Sequence, residues 1–140
     1  MIHYREVDKK CIVKHKKTVS SWVRAVVESY GKELGDVCVV SCSDEHLLGV
    51  NIEHLNHDYY TDIITFDYSD SEKISGDLLI SFDRVGENAG DLGVGFQEEL
   101  RRVIIHGVLH LVGLKDKSEK EAKEMRACEN AALKMFHVEP

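Results

Sequence analysis

The sequence predicts an α+β fold: a small mixed β-sheet of about four strands packed with helices, with a candidate metal site on a central buried helix. Three observations predict it. Short apolar runs of period two and longer runs of helical period follow one another in the order β-α-β-α-β-β-α-α-α. The stretch from Val103 to Val112 is apolar almost throughout, the mark of a helix enclosed by other elements. That same stretch carries His106 and His110, four residues apart, so a helix sets both imidazoles on one face, one turn above the other.

Each element has its own warrant. Ile2 to Val7 alternates weakly and reads as a strand. From Ser20 to Leu34 the apolar residues Trp22, Val23, Val26, Val27, Tyr30 and Leu34 recur at helical spacing, with Gly35 as terminator. Asp36 to Ser43 is β-branched and apolar, so it reads as a central strand. Asp44 is placed to cap a helix running to about Leu55. Ile63–Tyr68 and Ile74–Ser81 read as strands, with the polar residues between them closing a hairpin. A short helix from about Asp83 to Ala89 and a glycine-rich loop precede the long apolar helix, Phe96 to Val112. Ser118 with Glu121 forms a capping box for a last helix, from Glu119 to about Phe136.

The chain has 140 residues and a single proline at its end, with no linker, repeat or low-complexity tract, so one domain spanning 1–140 is expected. No apolar run approaches the length of about 20 residues that spans a bilayer, and the N-terminus lacks a signal-peptide core. Cytoplasmic residence and no membrane partner follow as expectations. Cys11, Cys38, Cys42 and Cys128 are scattered without paired spacing and read as free thiols; a strand puts Cys38 and Cys42 on one face. Net charge is −7, yet residues 1–24 hold seven basic residues against two acidic ones, or +5. That basic segment is either a guide for a polyanion or a solvated lysine-rich loop.

The chemistry concentrates in residues 106–116. Gly113 follows the histidine helix where glycine ends a helix easily. The chain can then turn back and bring Asp116 toward the two rings. Two imidazoles and one carboxylate leave a coordination position open for water, the arrangement of a catalytic rather than a closed structural zinc. The metal and catalytic candidates are therefore His106, His110 and Asp116, with one Zn²⁺ per chain.

The spacing His-x3-His-x5-Asp looks like the metzincin arrangement of zinc peptidases, and in that sense the fold is zincin-like. The glutamate that serves those enzymes as general base is here Gly107, which argues against their mechanism and leaves a metallohydrolase on another substrate, including a peptide, as the third choice. The segment His106-Gly107-Val108-Leu109-His110-Leu111-Val112-Gly113 instead resembles the signature of the YbeY family of bacterial rRNA maturation factors. Tyr60 to Phe66 resembles that family's Thr-Asp-Val-Leu-Ser/Thr-Phe strand, and Ser75 to Ser81 its Gly-Asp-Ile strand. Asn51 falls near the family's Leu-Asn position, and Glu119 onward matches its closing helix. Two departures stand out. Asp116 occupies the place of the family's usual third histidine, and Leu55 that of an arginine placed near the metal.

The resemblance implies a zinc-dependent, single-strand-specific endoribonuclease acting in 16S rRNA 3′-end maturation and ribosome biogenesis. Its partners would be single-stranded rRNA and the small ribosomal subunit with its proteins. Basic residues of the N-terminal third, with Arg101 or Arg102, would hold flanking phosphates, Gly107 would leave room beside the metal, and Asp62 would either orient a ligand or satisfy strand-start amides. The rival is a non-catalytic small-subunit assembly factor with a structural metal, which needs a fourth protein ligand such as His54, His57 or a cysteine.

Overall fold

The computed structural model describes residues 1–137. Its elements follow the expected order: β1 (Ile2–Glu6), α1 (Lys16–Ser29), β2 (Glu33–Cys42), α2 (Asp44–Leu55), β3 (Ile63–Asp67), β4 (Lys73–Ser81), α3 (Phe82–Leu92), α4 (Phe96–Val112) and α5 (Glu119–Lys134). The strands form one four-stranded sheet in the order β1-β2-β4-β3. β1, β2 and β4 run parallel, while β3 pairs antiparallel with β4 through the expected hairpin.

Strand alternation sends residues to two faces, and each face has a helical cover. On one, Val37, Val39, Ile74, Leu78 and Ile80 meet Val23 and Val26 of α1 and Leu100, Ile104, Val108 and Leu111 of α4. On the other, Val40, Cys42 and Ile64 meet Leu47 of α2, with Cys38, Phe66 and Leu79 around them. Cys38 and Cys42 thus share a face, and all four cysteines are free thiols. The α4 helix is the central one: nine of its residues are buried, and it touches α1, α3, α5, β3 and β4. No described helix is long and apolar enough to cross a membrane.

Two glycines let α4 lie close on the sheet. A Cβ on Gly107 would stand 2.7 Å from a Leu78 methyl and 2.8 Å from an Ile63 methyl. A Cβ on Gly76 would stand 2.8 Å from a Leu111 methyl and closer still to the Phe66 carbonyl oxygen. Gly107 therefore points into the sheet, not toward open space beside the histidines. Its role is helix–sheet packing, which corrects the expectation that it makes room for a substrate.

The boundaries differ in places. α1 ends at Ser29, short of the expected Leu34, because Gly31 (φ 75°) turns the chain there. Leu34 and Gly35 belong instead to β2, and the N-terminal amine donates to the Gly35 carbonyl. Ser43, not Asp44, caps α2: its hydroxyl accepts the His46 amide at 3.1 Å. Asp44 is turned to Ser81 and Arg84, each at 2.8 Å. The capping box of α5 is present as read, although the helix stops at Lys134.

Candidate metal centre

The site is built by the last turn of α4 and the turn that follows it. Gly113, at φ 122°, ends the helix. Its amide donates to the His110 carbonyl at 3.0 Å, and the Leu114 amide donates to the Leu109 carbonyl at 3.0 Å. This is the Schellman closure, which needs a glycine-like backbone at the turn residue and seats the following apolar residue on the helix. Leu114 accordingly packs against the core. The reversal carries Asp116 back over the two imidazoles.

Three ligand-type atoms converge there. Nε2 of His106 and Nε2 of His110 are 3.1 Å apart. One oxygen of Asp116, Oδ2, lies 3.2 Å from the first and 3.3 Å from the second. His106, His110 and Asp116 form the one such His/Cys/Asp/Glu group able to hold a metal among the described residues. Four ligands bound at about 2.0–2.1 Å to a tetrahedral zinc stand about 3.3 Å from one another, which is the spacing of this triangle.

The hydrogen bonds behind the rings make the triangle chemically specific. Nδ1 of His106 donates to Glu129 Oε2 at 2.6 Å. Nδ1 of His110 donates to the Leu114 carbonyl at 3.0 Å, a partner that can only accept. In the neutral rings both protons are therefore on Nδ1, and both Nε2 atoms present lone pairs. Two lone pairs and a carboxylate oxygen facing one another repel unless a cation lies between them. The residues present fit a metal.

Glu129 is the residue that sequence reasoning missed. It lies on α5, is 5% exposed, and its second oxygen accepts from Arg102 at 2.9 Å and lies 3.5 Å from Arg126. Arg102 in turn donates to Asn130 at 2.9 Å. Burial pushes the Glu129 carboxyl up, but the hydrogen bonds from His106 and Arg102 overcome it and hold it below the usual range. For His106, burial opposes the charged ring, yet the bond and charge of Glu129, with Asp116 and Asp62, raise its pKa overall. The only signal in the sequence was a glutamate among the many charged residues of the last helix.

Two cavities meet at the triangle, sharing Asp62, His106 and Asp116. One, about 520 Å³, opens between α4 and α5 past Glu99, Arg102, Arg126 and Glu129. The other, about 660 Å³, runs along β3 past Leu55, His57, Tyr59 and Lys117. Burial raises the pKa of Asp62, while His106 and the amides of Asp62 and Ile63 pull it back. Asp62 thus both serves its strand-start amides and lies within charge range of His106.

Other charged residues stand elsewhere. Asp77 receives the Tyr68 hydroxyl at 3.2 Å and lines neither cavity. The Arg101 guanidinium lies 4.3 Å over the Phe136 ring and borders a separate cavity with Lys14 at the start of α4. From Gln97, which binds the Lys14 amide, to His110 the helix rises roughly 20 Å. Lys14 is thus far from the triangle, while Lys9 pairs with Asp83 at 2.8 Å, and Lys117 is the lysine that borders the triangle.

The profile of the family described as "Endoribonuclease YbeY" matches residues 3–137. The chain belongs to the YbeY family. Proteins called endoribonuclease YbeY are similar to this YbeY chain along most of their length. The one from Parabacteroides distasonis is 53% identical over 124 residues, 89% of this chain and 87% of that protein. The one from Phocaeicola vulgatus is 47% identical over 138 residues, 99% of this chain and all of that one. Among solved structures, TM1509 from Thermotoga maritima superposes with a TM-score of 0.68 over 97% of this YbeY chain and 89% of its own, at 24% identity, a likeness of fold.

Proposed function

We propose that this chain is a zinc-dependent, single-strand-specific endoribonuclease of ribosomal RNA processing, acting in 16S rRNA 3′-end maturation. In this reading the whole of residues 1–140 is one catalytic domain, and His106, His110 and Asp116 hold one zinc ion. The observation that carries it is the convergence, in a chain of the YbeY family, of three acceptor atoms within 3.1–3.3 Å whose ring protons are committed elsewhere. When bound, zinc supplies a Lewis acid for a phosphodiester oxygen and a water of lowered pKa.

The chain's own residues do the rest. Glu129 and the Leu114 carbonyl fix the two imidazoles by their Nδ1 protons. Asp116 brings a negative charge that a third histidine would not. Lys117, beside it, offers a cation to the nucleic-acid backbone, while Leu55 adds no charge to the groove it lines. The groove along β3 is large enough for a nucleotide. The partners proposed are single-stranded rRNA and the small ribosomal subunit with its proteins, and the place is the cytoplasm.

The assembly-factor reading needs a fourth protein ligand to close the metal. Among the described residues neither His54, His57 nor a cysteine joins the converging ligand atoms of His106, His110 and Asp116; His54 lies against Phe66 and His57 against Tyr59. The test is metal content per chain together with cleavage of single-stranded and duplex RNA, for the wild type and Asp116→Ala. One zinc per chain, lost in the variant along with single-strand cleavage, is the expected result. A folded wild type that carries no metal and cuts no RNA would sink the proposal.

A further inference from the structure

The groove beside the triangle has a second wall of unusual construction. Asn51, buried on α2 at 2% exposure, holds the loop after that helix at two points. Its carbonyl accepts the His57 amide at 3.0 Å, and its side-chain amide donates to the Tyr59 carbonyl at 2.9 Å. Between these anchors the His57 and Tyr59 rings lie stacked, centroids 5.1 Å apart and planes at 24°. The Tyr59 hydroxyl is 3.0 Å from His57 Nδ1. Neither ring enters the core; Tyr59 is 54% exposed. Both border the same cavity as His106, His110, Asp116 and Lys117. Tyr60, next along the chain, is engaged otherwise: its hydroxyl donates to Glu45 at 2.7 Å, and Arg84 lies 5.5 Å over its ring.

We propose that the His57–Tyr59 pair is a stacking platform for an unpaired nucleobase next to the phosphate that the triangle receives. The proposal rests on the endoribonuclease reading and gives its preference for single strands a physical source. A base in a duplex has both faces covered, whereas an unpaired base can lay one on an aromatic ring. The two anchors from Asn51 set the rings in place beforehand, so little side-chain freedom is lost on binding. Charge offers the groove little help: the chain carries −7 overall, Asp62 and Asp67 line the groove against the single cation of Lys117, and Leu55 stands in the wall. Grip on the base compensates for weak grip on the backbone.

The experiment is a binding titration of a fluorescein-labelled single-stranded oligoadenylate, in a His110→Ala background that does not cut it, with Tyr59 intact, Tyr59→Phe and Tyr59→Ala. Steady-state cleavage by the same three Tyr59 proteins with His110 intact and zinc loaded accompanies it. Tyr59→Ala should weaken Kd and raise KM about tenfold with zinc content and thermal unfolding unchanged, while Tyr59→Phe stays near wild type. Because a tyrosine carries no charge, the slope of log Kd against log salt should not move. Lys117→Ala should flatten that slope by about 0.7. Unchanged Kd in Tyr59→Ala, or a loss arising through a flatter salt slope, overturns the platform while RNA cleavage by the wild type keeps the endoribonuclease reading. A wild type that neither binds nor cuts the RNA removes both.

Discussion

Glu129 Oε2 lies 2.6 Å from Nδ1 of His106, and this one contact between α5 and α4 decides which nitrogen of the ring is free for the site. Arg102 holds the carboxylate from its other oxygen at 2.9 Å, so the ring's orientation is secured by an ion pair that does not touch the triangle. Glu129→Gln keeps the shape and removes the charge. Zinc affinity, measured by competition with a chelator, should fall about 10–100-fold, with circular dichroism unchanged. Wild-type affinity in that variant would mean the contact is merely structural.

The two close-approach glycines should respond differently to alanine. At Gly76 the new methyl meets the Phe66 carbonyl oxygen, which the hairpin register holds in place. At Gly107 it meets the methyl ends of Leu78 and Ile63, which can shift by rotation, and alanine recovers about 1 kcal/mol of helix propensity. Gly76→Ala should therefore cost about 3 kcal/mol and Gly107→Ala about 1 kcal/mol, read from urea unfolding midpoints. The reverse order would refute the packing account of α4.

Much of this was legible in the sequence because local periodicity and local chemistry agree. The α4 helix runs from Phe96 to Val112 as its apolar pattern dictates, and Gly113 announces the turn that returns Asp116. What failed to show were relations across elements. Gly35 looked like the end of α1, but Gly31 already turns the chain, and pairing with β4 claims Leu34. Glu129 reads as one acid among many on α5, and only the packing of α5 on α4 gives it His106. Gly107 invited an explanation by the metal site because it adjoins His106, yet successive residues on a helix point about 100° apart, and it faces the sheet.

Asp8 gives the fold a defined response to acid. Its carboxylate accepts the Ser43 hydroxyl at 2.5 Å and the Ser43 amide at 2.7 Å, tying the loop after β1 to the start of α2. The Ser43 hydroxyl bond chiefly holds its pKa below the usual range, against the opposing effect of burial and with help from the Ser43 amide. A carboxyl lowered on folding stabilises fully above its unfolded value of about 3.9, and that stability is lost as pH falls through the lower folded value. Asp8→Asn should cost no more than about 1 kcal/mol at neutral pH, since solvent screens the site. The gap between the two proteins should close as pH falls below about 3.9. A gap that persists to pH 2, about two units below that value, would remove the charge from the explanation.

Gly113 joins stability to the site most directly. Its φ of 122° lies where a side chain is strained, and crowding by neighbours is not the reason, since no atom stands within 4 Å of a Cβ built there. Gly113→Ala therefore isolates the backbone cost, about 1–2 kcal/mol. Relief of that strain would come by opening the turn, which loosens the bond from His110 Nδ1 to the Leu114 carbonyl and the return of Asp116 to both rings. The variant should lose zinc affinity as well as stability, in contrast to Gly76→Ala, whose strain falls on the sheet. Zinc titration and urea unfolding on the two variants separate these outcomes: equal zinc affinity in Gly113→Ala and Gly76→Ala would show that the turn does not hold Asp116 in place.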